Sequence, residues 1–479
     1  MTTENSPQEI AGHIAVSAFL AMPKVMELAD LFSKNGFEFS IVGGPVRDVI
    51  LNRELHDLDF TTNANPTDII KLTKPWADTV WDVGIEFGTV GVRKGDFEAE
   101  ITTYRADTYS DESRKPQVQF GTDLVEDLIR RDFTINAMAV RLPQGEFVDP
   151  FNGAQDLVRR LIRTPREAEL SFSDDPLRMM RAARFASQLG FTPVADVVIA
   201  ATDMATRIEI VSAERVRDEL SKLLLGKHPR LGLDILDGTK LAEIILPELP
   251  SLQLEIDEHH RHKDVYEHSL TVLEQAIDLE TKHEPQCEPD LILRLAALLH
   301  DIGKPKTRKF ESGGGVSFHH HEVVGAKIAK KRLTALRYSN DIINSVTKLI
   351  ELHLRFHGYG SGQWTDSAVR RYVRDADDQL VRLHKLTRAD CTTRNKRRAL
   401  QLAATYDDLE ARIGVLQEQE ELNSIRPDLD GNEIMQILEL KPGRDVGKAY
   451  DYMLNVRLDQ GPLPREQAIK ILKDWWAQR

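Results

Sequence analysis

The feature that most limits the fold is a change of texture near Asp149-Pro150. Before it, short apolar runs rich in β-branched residues alternate with helix-like stretches. Phe37 to Gly43, Asp57 to Thr62, Thr89 to Arg93, Phe97 to Tyr104 and Ala139 to Leu142 read as strands. Val46 to Leu51 and Asp127 to Met138 read as helices. After it, nearly every segment has helical spacing. Leu291 to His300 is almost continuously apolar and stops before Gly303 and Pro305, an ordinary helix end. A glycine-rich stretch at Ser312 to Gly315 and a further change near Pro427 to Gly431 interrupt the helical part. These patterns predict an α+β chain. A small mixed-sheet head over 1–150 precedes an all-α neck over 151–250, a helical domain over 251–410 and a helical tail over 411–479. A chain of 479 residues is too long for one core.

Composition removes several classes. Apolar residues make up 41% and charged residues 29%, as in globular proteins. Cys287 and Cys391 cannot form a disulfide framework, which predicts a cytoplasmic protein. The first residues do not read as a signal peptide, and no apolar run is long enough to span a membrane. The net charge of −13 disfavours a nucleic-acid partner only on average, because a segregated basic stripe can still bind RNA. Arg382, Lys385, Arg388, Arg394, Lys396, Arg397 and Arg398 form one candidate stripe, though a charge run alone is more often a solvated helix face.

The head carries a compound motif. Gly43-Gly44 lets the backbone approach a ligand, the following helix turns free N–H groups towards phosphate, and Arg47 can add a bidentate contact. Nine residues past Asp48, Asp57-Leu58-Asp59 places two carboxylates on one strand face. Such a pair calls for a hard cation, Mg²⁺, that also bridges to a triphosphate. Glu100, on a neighbouring strand, is either a third carboxylate or a surface charge.

This pattern resembles the nucleotidyltransferase superfamily of DNA polymerase β, in the branch of bacterial CCA-adding enzymes and poly(A) polymerases. The resemblance continues through Arg130-Arg131-Asp132-Phe133-Thr134-Ile135-Asn136-Ala137 and through Asp174-Asp175-Pro176-Leu177-Arg178-Met179-Met180-Arg181-Ala182-Ala183-Arg184-Phe185. It implies two Mg²⁺ ions held largely by Asp57 and Asp59, which activate an RNA 3′-OH to attack an α-phosphate and expel pyrophosphate. It puts Arg131 near the nucleotide. Asp132 and Asn136, four apart, are expected on one helix face, to hold the ribose or brace the loop.

Asp175 and Arg178 stand three apart at a helix start and can project together. Cytosine and adenine both offer an amine donor beside a ring-nitrogen acceptor. An Asp acceptor and an Arg donor match that edge, whereas uracil and guanine present the reverse. The resembled family uses these positions in this way. Arg181 and Arg184 continue a slanted ridge suited to phosphates; the alternative, arginines satisfied by surface carboxylates, holds better for Arg184 than for Arg178. The family often has Glu where Asp174 stands.

Downstream, His268, His300-Asp301 and Asp390 follow the order of the HD phosphohydrolase domain. His321 and His353 match the extra ligands of its two-metal members. All but His321 fall in helical patterns. Imidazole and carboxylate suit Mg, Mn, Ni or Fe, so a divalent transition metal is expected there. The resemblance therefore implies addition of C, C and A to tRNA from CTP and ATP, with a hydrolase activity at the HD domain left open. Poly(A) synthesis, and a metal-dependent phosphohydrolase with a nucleotide-binding head, are the alternatives.

Overall fold

The structure, a computed structural model, describes residues 6–55, 57–82, 84–85, 88–105, 108–110, 113–117, 121, 123–253, 265–283, 288–312, 316–359, 364–392, 395–420 and 426–478. Cys287, Arg394 and the glycines at 313–315 lie outside these residues. The chain divides into two compact units, Met1–Pro247 and Glu248–Arg479.

The first unit is built on a mixed seven-stranded sheet. Its strands are β1 (Phe39–Val42), β2 (Asp59–Thr62), β3 (Thr79–Trp81), β4 (Thr89–Lys94), β5 (Phe97–Thr103), β6 (Ala139–Leu142) and β7 (Glu146–Val148), in the order β3-β4-β5-β2-β1-β6-β7. All five expected strands are present, and the three-residue β3 and β7 extend the sheet at its two edges. β1 is buried along its whole length and pairs antiparallel with β2 and β6. Phe39 stacks between Phe32 and Phe60 at 4.5 and 4.7 Å, anchoring the sheet centre. β2 and β5 are parallel, with Asp59 opposite Glu100.

Five helices of this unit matter for the site: α1 (Gly44–Ile50), α2 (Leu124–Ile129), α3 (Ala168–Asp174), α4 (Leu177–Leu189) and α5 (Ala213–Leu224). The long helix expected over Asp127 to Met138 does not form. α2 stops at Ile129, and after a turn only a short 3-10 segment, Thr134–Asn136, follows. The cause is local competition for backbone groups. The Asp132 carboxylate accepts from the Phe133 N–H at 2.8 Å, Phe133 is extended (φ −136°), and the Thr134 N–H donates to the Arg163 carbonyl at 2.8 Å.

The second unit is helical, as expected. It contains α6 (Val265–His283), α7 (Leu291–Leu299), α8 (His321–Ala335), α9 (Asn340–Leu352), α10 (Asp366–Ala376), α11 (Leu380–Ala389) and α12 (Lys396–Glu420). Asp290 caps α7 through the N–H groups of Ile292 and Leu293. Every residue from Leu293 to Leu299 is buried, as suits a helix covered on all sides. A two-strand ribbon, Lys309–Phe310 with Val316–Ser317, flanks the glycine-rich stretch. Three further helices, α13 (Gly431–Leu438), α14 (Arg444–Gln460) and α15 (Arg465–Ala477), share their own core around Leu429, Ile434, Met453 and Leu472. Among the described residues, no helix is long and apolar enough to cross a membrane.

Candidate functional site

In the first unit the sheet gathers three carboxylates. Asp57 precedes β2 and is exposed, Asp59 opens β2 half-buried, and Glu100 faces Asp59 across the parallel pairing. Burial pushes the Asp59 carboxyl up, Arg131 and Arg47 oppose this, and Asp57 adds to it. Glu100 is raised by burial and then by the charges of Asp59 and Asp57. Mutual repulsion of this kind is relieved by a divalent cation, and the all-oxygen donor set suits a hard one.

The glycine loop adjoins this group. Gly43 has φ +75°, and a Cβ there would stand 2.9 Å from Nη1 of Arg131. The space left by the missing side chain is thus filled by a guanidinium. Arg47 donates to both Asp48 carboxylate oxygens at 2.9 and 2.8 Å and to Oδ1 of Asn136 at 2.6 Å. Asn136 in turn donates to Asp132 at 3.0 Å. Asp132 and Asn136 therefore meet although no α-helix joins them, and Asn136 links them to Arg47.

The expected base-reading residues sit at the α3–α4 junction. Asp175 ends α3, accepts from the Leu177 N–H at 3.1 Å, and pairs with Arg215 at 2.9 Å. Arg178, on α4, is buried. It donates to the Ser171 hydroxyl at 2.8 Å and to the Arg130 carbonyl at 2.5 Å. Each of the two side chains thus has partners of its own. Arg181 pairs with Asp132 at 2.6 Å and Arg184 with Glu219 of α5 at 2.7 Å, both of them buried acids rather than surface carboxylates. Phe185 lies under Arg47, Arg181 and Arg184, with guanidinium carbons 5.3, 6.0 and 4.3 Å from its ring centre. Asp174 pairs with Arg166.

In the second unit the six HD-type residues converge. His268 lies in α6, His300 caps α7, His321 is the first residue of α8, His353 caps α9 and Asp390 caps α11. His321 is thus helical after all. Its position follows from His320, which takes a left-handed conformation (φ 62°) and turns the chain into α8. One ligating atom each from His268, His300 and Asp390 lies within 4.8 Å of the other two, and the same holds for Asp301, His321 and His353. His300, His321 and His353 direct Nδ1 at the carbonyls of Ala297, Phe318 and Ile350, at 2.9, 2.8 and 2.6 Å. A carbonyl only accepts, so Nδ1 carries the hydrogen and Nε2 faces the cluster, the arrangement of a metal-binding imidazole. Nε2 of His353 is buried with no hydrogen-bond partner among the described residues. Burial works against charge on His300, yet Asp301 and Asp390 outweigh it and push its pKa up to about 10. A divalent cation would compete with that proton. These donors fit a metal.

Several residues here were not singled out from sequence. Asp127 binds Arg130 and Arg131, Glu219 holds Arg184, and Lys304 reaches Asp301 at 2.5 Å. Asp127 was legible only as the residue three and four positions before two arginines. Of the basic stripe, Arg382 pairs with Asp290, and Arg388 with Asp407 and Glu410.

Three family models match parts of this chain. Residues 39–163 match the family described as the poly(A) polymerase head domain, 190–252 a probable RNA and SrmB-binding site of polymerase A, and 265–395 the HD domain. The CCA-adding enzyme of Oceanobacillus iheyensis is 43% identical over 220 residues, 46% of this chain and 53% of that protein. That of Levilactobacillus brevis is 44% identical over 225 residues, 46% and 55% of the two chains. The chain spans about half the length of the curated relatives it matches. Among solved structures, the Bacillus stearothermophilus CCA-adding enzyme in complex with CTP matches at TM-score 0.68 and 24% identity, covering 95% of this chain and 97% of its own. The Thermotoga maritima CCA-adding enzyme complexed with tRNA matches at 0.60 and 19%, covering 96% and 98%. The fold is that of CCA-adding enzymes.

Proposed function

We propose that this chain adds C, C and A to the 3′ end of tRNA, using CTP and ATP and releasing pyrophosphate in the cytoplasm. The observation that carries this reading is the grouping of Asp57, Asp59 and Glu100 beside the Gly43-Gly44 loop and Arg131. In it, Asp57 and Asp59 hold Mg²⁺, with Glu100 as a third carboxylate. When bound, that ion lowers the pKa of the attacking hydroxyl and neutralises developing phosphoryl charge. Gly43, Gly44, Arg47 and Arg131 bind and orient the triphosphate. Asp132, Asn136, Arg181 and Arg184 brace the nucleotide pocket, and Asp175 with Arg178 reads the base edge. The curated relatives that match at 43 and 44% identity favour this over poly(A) synthesis. The inner boundaries near residues 150, 250 and 410 belong to the same reading, as head, neck, HD domain and tail.

The test is incubation of the purified protein with tRNA lacking CCA and each labelled nucleotide in turn. Ordered incorporation of C, C and A is expected. A long A tail would replace this reading with poly(A) polymerase.

A second reading concerns the HD domain alone. His268, His300, Asp301 and Asp390, with His321 and His353, hold a divalent transition metal that can activate water for phosphoester hydrolysis. The inward Nε2 geometry supports it. Release of phosphate from a phosphomonoester, or opening of a 2′,3′-cyclic phosphate to its monoester, lost on chelation, is the expected result.

A further inference from the structure

The last turn of α2 contains an anion that none of the expected site residues explains. The Asp127 side chain is completely buried. Arg130 and Arg131 follow it at three and four positions, so both side chains reach back to it. Arg130 binds Oδ1 and Arg131 binds Oδ2, the latter at 3.2 Å, while the Arg105 N–H adds a contact at 3.3 Å. Burial alone raises the Asp127 carboxyl, but the two guanidinium charges outweigh it and hold it below the usual range. The ionised form is therefore the one that organises this turn.

Both products of the turn point at nucleotide chemistry. The Arg131 side chain held by Asp127 fills the space over Gly43, and its charge acts on Asp59. The carbonyl of Arg130 accepts from Arg178 at 2.5 Å, while the Ser171 hydroxyl holds the same guanidinium at 2.8 Å. One carboxylate thus fixes a side chain at the acidic cluster and a main-chain acceptor behind the base-edge arginine. Arg131 and Arg178 lie 47 residues apart in sequence, and this turn links them.

We propose that Asp127 is a positioning residue that sets nucleotide affinity and base preference together, through Arg131 and through the Arg130 carbonyl. The inference rests on the nucleotidyltransfer reading. A merely structural anion would affect stability, or rate for every nucleotide equally. A positioning anion links two quantities that Arg131 and Arg178 would otherwise control separately.

The experiment compares wild type with Asp127→Asn, which keeps the shape and loses the charge, and with Asp127→Glu, which keeps the charge on a longer arm. Binding of CTP and UTP in Mg²⁺ is measured by calorimetry, and single-nucleotide addition on tRNA is measured in parallel. Asp127→Asn is expected to weaken CTP binding roughly tenfold and to narrow the CTP-over-UTP preference by a similar factor, as for a lost charge-assisted contact. Asp127→Glu is expected to recover part of both, and it carries the test if the Asn variant does not fold. A folded Asp127→Asn with unchanged CTP affinity and preference overturns the proposal, as does a uniform loss for all nucleotides. A wild type that prefers CTP but adds nothing to tRNA sinks the transfer reading, while a loss of that preference in Asp127→Asn still supports the positioning role.

Discussion

The Arg181 guanidinium stands 2.6 Å from a carboxylate oxygen of Asp132, whose side chain is 5% exposed. A motif arginine that sequence offers to phosphate is here the counter-charge of a buried acid. Burial raises the Asp132 carboxyl, but Arg181, the Asn136 hydrogen bond, Arg178 and Arg184 together hold it below the usual range. Arg181→Met leaves that carboxylate without its main counter-charge. Because Arg181 is itself one-third exposed, we expect up to about 3 kcal/mol of destabilisation rather than the full cost of breaking a buried pair. Denaturant unfolding measures it. A change below about 0.5 kcal/mol, the range of surface substitutions, would show that Asp132 is satisfied without Arg181.

Asp57→Ala and Asp59→Ala test the acidic cluster. Each removes an oxygen donor but no core packing, so folding should survive. Nucleotide addition should fall at least about a hundredfold, the usual scale for losing one charge-stabilising group. Addition near wild-type rates in both variants would remove these residues from the site.

Most of the sheet and the grouping of the HD-type residues were legible, because two periodicities and a few chemically distinctive residues carry them. Asp57 and Asp59 were legible as two carboxylates two residues apart, although β2 begins only at Asp59. The break after Ile129 was not legible. It depends on Asp132 capturing its neighbour's N–H and on the Arg163 carbonyl, which is remote in sequence. The partners of the motif arginines were hidden for the same reason. Glu219 lies 35 residues from Arg184, and nothing local announces that they meet. Spacing showed which side chains share a helix face but not what that face packs against.

The HD centre should be separable from nucleotide addition. His300→Ala with Asp301→Ala removes one donor from each of the two clusters. Bound metal, read by elemental analysis, should disappear, together with any phosphoester hydrolysis. Addition to tRNA should stay within about threefold of wild type, well under the tenfold that 1.4 kcal/mol represents. A folded double variant that cannot add nucleotides would show that the two chemistries depend on each other.

His384 predicts a pH effect on stability. It stacks on Tyr372, with centroids 5.8 Å apart. Burial lowers its pKa to about 4, against the charge of Glu410 and aided by Arg388. The unfolded chain takes up this proton near the ordinary histidine value of about 6.5, and the folded one does not. The stability tied to neutral His384 is therefore full above about 6.5 and declines as pH falls towards 4. Urea unfolding at pH 7.5 and 5.0 should show wild type losing stability relative to His384→Gln. A gap between the two proteins that does not change with pH would refute it.

Arg178→Ala should damage base choice more than chemistry. The guanidinium is anchored by Ser171 and by the Arg130 carbonyl, not by the acidic cluster, so the metal ligands are untouched. C and A lose a charge-assisted donor worth roughly 1.5–3 kcal/mol. U and G lose nothing they could use, because the guanidinium opposes their own N–H. The ratio of correct to incorrect incorporation should fall roughly ten- to a hundredfold, at 1.4 kcal/mol per factor of ten. Ser171→Ala removes only one anchor of the same arginine and should give a smaller shift in the same direction. Single-nucleotide incorporation of C, A, U and G on one tRNA measures both variants. Equal loss for all four nucleotides would instead assign Arg178 to supporting the α3–α4 junction, where its two anchors already hold it.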